Sequence, residues 1–169
     1  ASSPAAVLVG GASGRFVGPQ DFDRAISFDD LSTGGAVIVF GPERRVPEIV
    51  THYSHFFAEE SCGYCAPCRV GTVLLRERLE RIMHGRGETA DIAYLRELGE
   101  TMRATSRCGL GQAAPNAVLS SLENFGGAYA EMLSDDPEGF KRSFDLEESV
   151  RPAAEIAARL TIRGREARA

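Results

Sequence analysis

The sequence predicts a mostly α fold, a four-helix bundle preceded by a short and incomplete β segment. Two patterns predict it. Beyond Val46, apolar residues recur at three- and four-residue steps through four successive stretches, whereas the first 45 residues hold two short apolar runs broken by glycines. The 169-residue length suits one ordinary domain, or one domain plus a fragment of a second.

In the β segment, Val7-Leu8-Val9 stops at Gly10-Gly11, and Ala36-Val37-Ile38-Val39-Phe40 stops at Gly41-Pro42. Gly14, Gly18-Pro19 and Gly34-Gly35 mark turns between them. A two-stranded unit is marginal in water, so residues 1–45 are expected to be part of a small β domain whose other strands lie elsewhere.

The first helix is expected over residues 46–61, with Pro47 in its first turn and Val46, Ile49, Val50, Tyr53, Phe56 and Phe57 facing inward. The second runs from Pro67 to His84, burying Val70, Val73, Leu74, Leu79 and Ile82, and Gly85 and Gly87 stop it. A third starts near Thr89 with Ile92, Leu95, Leu98 and Met102. A fourth starts around Pro115 and carries Val118, Leu119, Leu122, Phe125, Tyr129 and Met132. Short connections make the bundle antiparallel over residues 46–135. Residues 136–169 form a C-terminal extension, with Ser143 or Asp145 able to cap one short helix and Pro152 able to begin another.

Composition narrows the function classes. No stretch approaches the roughly 20 apolar residues that span a bilayer, and Ala1 to Ala6 lack the basic leader and apolar core of a signal peptide. A cytoplasmic location is expected. The formal net charge of −5 argues against nucleic acid and anionic membranes as partners. The arginines at 159, 163, 165 and 168 read as a solvated tail. His52, His55 and His84 read as ordinary helix residues rather than ligands.

The chemistry lies in the cysteines. Cys62-Gly-Tyr-Cys65-Ala-Pro-Cys68 is followed after thirty-nine residues by Cys108-Gly-Leu-Gly-Gln. Disulfides among the first three would close very small loops and constrain the unfolded chain little. Tetrahedral zinc prefers two separated pairs, or one pair with two histidines, and fits three closely spaced cysteines poorly. A cubane needs four thiolates, three of which a C-x2-C-x2-C turn can supply, with Cys108 the fourth. Four cysteines allow one cluster, expected to be a [4Fe-4S] cluster on Cys62, Cys65, Cys68 and Cys108. Cys68 is expected in the first turn of the second helix, where backbone amides and Arg69 face the cluster's negative charge. Gly63, Gly109 and Gly111 leave room for a bulky cofactor.

These residues also carry a resemblance. Glu60-Ser61-Cys62-Gly63-Tyr64-Cys65-Ala66-Pro67-Cys68-Arg69-Val70-Gly71 resembles the E-S-C-G-x-C-x-P-C-R-x-G signature of NADH-oxidising flavoprotein subunits. These belong to respiratory complex I, soluble NAD-linked hydrogenases (the diaphorase subunit) and NAD-dependent formate dehydrogenases. Thr105 to Gln112, with Pro115-Asn116, is similar to the second half of that signature. Val9-Gly10-Gly11-Ala12-Ser13-Gly14 resembles a stretch of the family's small β-grasp domain, so residues 1–45 are expected to be part of one.

The resemblance implies that the four cysteines hold a cluster taking single electrons from FMN, itself reduced by NADH, and passing them to iron–sulfur subunits of a larger complex. The family's glycine-rich flavin loop precedes its β-grasp domain and has no counterpart here. FMN and NAD(H) are therefore expected in an upstream part or partner rather than on this chain. Ala104 to Cys108 and Ser143 to Glu147 look most like the hydrogenase diaphorase, ahead of formate dehydrogenase and complex I partners. A free-standing ferredoxin-like carrier and a zinc-stapled interaction module are the competing readings.

Overall fold

The computed structural model describes residues 3–134 and residue 151. The chain divides into two compact units, Ala1–Asp135 and Asp136–Ala169. The helices expected from Ser143 or Asp145 and from Pro152 lie outside the described residues, as does the arginine-bearing tail.

The first unit begins with three strands, β1 (Ala6–Val9), β2 (Arg15–Val17) and β3 (Val37–Phe40). They form one antiparallel sheet in the order β2-β1-β3. β2 is one strand more than the sequence pattern predicts, because three residues are too few to show a period. Two side chains of a later helix secure its outer edge. The Phe16 N–H donates to Ser120 Oγ and the Phe16 carbonyl accepts from Asn124 Nδ2, both at 2.9 Å. This is why so small a sheet holds: it lies on the helices rather than standing alone.

Among the described residues six helices follow: α1 (Val46–Glu60), α2 (Ala66–Met83), α3 (Thr89–Thr105), α4 (Gly109–Ala113), α5 (Asn116–Asn124) and α6 (Gly126–Ala130). Helix α1 packs on α2, α2 on α3, and α5 against α1, α3 and β2. The expected fourth helix is thus two pieces, α5 and α6, and the short α4 precedes it. The Pro115 ring occupies the junction of α4 and α5, and Gly126-Gly127 opens α6.

One core joins sheet and helices. It runs from Ala6, Leu8 and Phe16 through Val50, Phe57, Leu75, Leu79, Ile82, Leu95 and Met102 to Val118, Leu122 and Tyr129. Phe16 seals the join, lying 6.0 Å from the Phe40 ring and edge-on to Phe125 at 6.4 Å.

The buried stripe of α2 differs from the expected one. It is Cys68, Thr72, Leu75, Leu79 and Ile82, spaced 4, 3, 4 and 3, whereas Val70 is 47% exposed and Leu74 only half-buried. The hydrophobic pattern hid this phase because its first turns are a cysteine and a threonine. Thr72 Oγ1 meets its own need by donating to the Cys68 carbonyl at 2.8 Å. On α1, Phe56 is likewise exposed rather than buried, standing edge-on to the buried Phe57 at 5.3 Å.

Candidate iron–sulfur site

Two loops carry the cysteines. Residues 61–65 join α1 to α2, and residues 106–108 join α3 to α4. Gly63 has φ +74°, a left-handed turn that glycine takes without penalty, and it reverses the chain between Cys62 and Cys65. Cys65 is the residue that opens α2, and Cys68 sits in that helix's first turn behind Pro67. Cys108 occupies the corresponding position before α4. All four thiols are free: Cys62 and Cys108 are exposed, Cys65 half-buried and Cys68 buried.

Packing of α2 on α3 and α4 brings the two loops together. Three contacts fix the meeting. The backbone N–H of Arg107 reaches the Cys65 sulfur and is the largest cause holding its thiol below the usual range. The Cys68 N–H and the Arg107 charge act in the same direction, and burial opposes them. The Arg107 guanidinium lies 5.0 Å from the centre of the Tyr64 ring and donates to Tyr64 Oη at 3.2 Å. A Cβ placed on Gly111 would lie 2.9 Å from Cys68 Cβ and 2.6 Å from Ser106 Oγ, so α4 approaches α2 as closely as backbone allows.

Cys65 and Cys68 thus meet the segment that carries Cys108, forty positions beyond Cys68 in sequence, with backbone amides directed at Cys65. Among the described residues, no three His, Cys, Asp or Glu side chains gather tightly enough to hold a single metal ion. One tetrahedral zinc would need its sulfurs about 2.3 Å from a common centre. A cubane spreads four thiolates over separate irons, and four soft sulfur donors suit that group in kind. Arg69 Nη1 donates to the Gly63 carbonyl at 2.8 Å, holding the turn and placing positive charge beside it.

The histidines face elsewhere. His55 meets Glu80 at 2.8 Å and His84 Nδ1 lies 2.6 Å from the Glu80 carbonyl. Sequence reasoning missed the serines that flank the cysteines. Ser61 Oγ lies 3.3 Å from Cys68 Sγ, a hydrogen bond from the start of the first loop to the first turn of α2. Their place inside the two signature stretches was the one signal that could have pointed to them.

Residues 48–132 match the family described as NADH-ubiquinone oxidoreductase-F iron-sulfur binding region. The chain belongs to this family. As an NADH-oxidoreductase iron–sulfur region, its cofactor is a [4Fe-4S] cluster. It is 38% identical over 143 residues to the NAD-reducing hydrogenase HoxS subunit alpha of Cupriavidus necator, covering 84% of this chain and 24% of that protein. The NADP-reducing hydrogenase subunit HndC of Solidesulfovibrio fructosivorans is 35% identical, with 77% of this chain and 28% of its own length covered. An NADH-quinone oxidoreductase subunit of Streptomyces coelicolor is 30% identical, with 74% and 29% covered. The chain therefore spans about a quarter of the length of these relatives. The iron–sulfur region also superposes on a crystal structure of an NAD+-reducing [NiFe]-hydrogenase in the H2-reduced state. The TM-score is 0.77 at 33% identity, covering 93% of this chain and 28% of the other. Among the described residues no helix is long and apolar enough to cross a membrane.

Proposed function

We propose that Cys62, Cys65, Cys68 and Cys108 bind the [4Fe-4S] cluster and that the chain is an electron relay of a diaphorase-type subunit. The observation that carries this is the meeting of the two cysteine loops through the Arg107 N–H on Cys65 and the bare Gly111 against Cys68. When bound, such a cluster gives and takes single electrons while its fold stays fixed. The chain's own residues present four thiolates, direct amide N–H groups and the Arg69 and Arg107 charges at them, and seat Cys68 away from water.

The larger reaction is that of a soluble NAD-reducing hydrogenase. Electrons move between NAD(H) and FMN, held in an upstream part or partner, and the iron–sulfur subunits of a cytoplasmic hetero-oligomer. The higher identity to the HoxS hydrogenase protein, 38% against 30% for the quinone oxidoreductase one, favours this placement.

The test is Cys108→Ser. Replacing one thiolate is expected to lower bound iron at least several-fold and to lower the melting temperature, since that ligand ties the α3–α4 loop to the start of α2. Iron content and melting both equal to the parent would refute the assignment. Copurification of the native protein with hydrogenase subunits, rather than with a membrane complex, would support the placement.

A further inference from the structure

Ser106 sits between the two halves of the site with a hydroxyl that nothing in the fold employs. Its backbone is fully engaged: the N–H closes α3 on the Met102 carbonyl at 3.0 Å, and its carbonyl accepts from Gln112 Nε2 at 3.0 Å. The residue is only 5% exposed, yet its Oγ has no hydrogen-bond partner. Leaving a buried hydroxyl unmatched is unfavourable unless something in the functional state meets it. Among the described residues one other buried side-chain atom shares that condition, Arg76 Nε, and it faces Glu80 at 3.9 Å. Ser106 Oγ is therefore the one orphan with no charge opposite.

Its position gives the orphan a use. The point where a Gly111 Cβ would sit is 2.6 Å from Ser106 Oγ and 2.9 Å from Cys68 Cβ, so the hydroxyl borders the same space as that cysteine. Ser61 Oγ approaches the Cys68 sulfur from the other loop at 3.3 Å. A hydroxyl offers one donor hydrogen, and thiolate and sulfide sulfurs next to iron are acceptors.

We propose that Ser106 Oγ–H donates a hydrogen bond to a sulfur at the Cys68 corner of the bound cluster and raises its reduction potential. This rests on the four-cysteine reading. Reduction adds negative charge, and a hydrogen bond to charge is stronger than one to a neutral acceptor, so the donor favours the reduced form. Ser106 is a positioning and tuning residue, not a ligand. Gly111 is bare because any side chain there would occupy the approach.

The experiment uses the full 169-residue chain reconstituted anaerobically with iron and sulfide. Midpoint potential is read by EPR-monitored titration, and exchangeable protons coupled to the reduced cluster are read by ENDOR in H2O and D2O. Ser106→Ala is expected to keep its iron, lose one exchangeable coupling and shift the potential downward. Ser61→Ala is expected to remove a different coupling. Ser106→Ala with iron retained but coupling and potential unchanged overturns the inference, because a purely structural role would move only the melting temperature. If Ser106→Ala loses iron, Ser106→Thr decides. Coupling and potential kept by the threonine hydroxyl support the bond, and their loss from a loaded threonine variant overturns it. A parent cluster without any exchangeable coupling overturns it as well. A parent chain that takes up no cluster defeats the four-cysteine assignment itself.

Discussion

Cys65 shows how single residues set the site. Its sulfur faces an amide from a loop more than forty residues away in sequence, and that amide exists in the right place only because α3 ends at Thr105. The same economy of placement appears at Tyr129, the largest fully buried side chain among the described residues. Its phenol and Ser121 Oγ share a 2.7 Å hydrogen bond. Burial pushes the Tyr129 phenol well above its ordinary range, and the bond with Ser121 only partly offsets this. The unfolded chain releases that proton near pH 10, whereas the folded chain keeps it. Stability is therefore undiminished by this group below about pH 10 and falls as pH rises beyond it. Tyr129→Phe should cost about 1 kcal/mol at neutral pH, from the lost bond. It should also flatten the alkaline fall, as measured by urea unfolding from pH 8 upward.

Elements hold together through a few side chains that cross between them. The N-terminus of α3 is closed by Glu88 and Asp91, each capping the other's backbone, and Glu88 also pairs with Arg81. Asp91 is 2% exposed and accepts from Arg78 Nη1 at 2.6 Å. Asp91→Ala removes the cap and leaves the half-exposed Arg78 without that partner, so a loss of about 2–3 kcal/mol is expected by denaturant melts. Asn124→Ala frees the Phe16 carbonyl on β2 and is expected to cost about 1 kcal/mol, with faster amide exchange confined to β1 and β2.

Helices α1 to α3 were legible because their apolar periods run four turns or more. Strand β2 was not, because Arg15-Phe16-Val17 owes its pairing to Ser120 and Asn124, about a hundred residues on. The break of the last helix followed from Gly126-Gly127, present in the sequence but outvoted there by the apolar pattern, and the five-residue α4 ahead of Pro115 was too short to show a period. At the site, the cysteine spacing pointed to the four residues proposed as ligands, while Ser61 and Ser106, though inside the signature stretches, carried no period of their own. Their roles depend on where Cys68 and Gly111 come to rest.

At the scale of the whole first unit, sheet and helices share a core, and packing of α2 on α3 and α4 brings the two cysteine-bearing segments together. On the proposed four-cysteine ligation, the bound cluster would act as a staple between the α1–α2 and α3–α4 junctions as well as a redox centre. The most direct test of this account counts iron and acid-labile sulfide in the anaerobically reconstituted chain and follows its visible absorption on dithionite addition. Four irons and four sulfides per chain, with a broad brown absorption that bleaches on reduction, are the predicted result. A colourless chain, or one binding a single zinc and no sulfide, would contradict it.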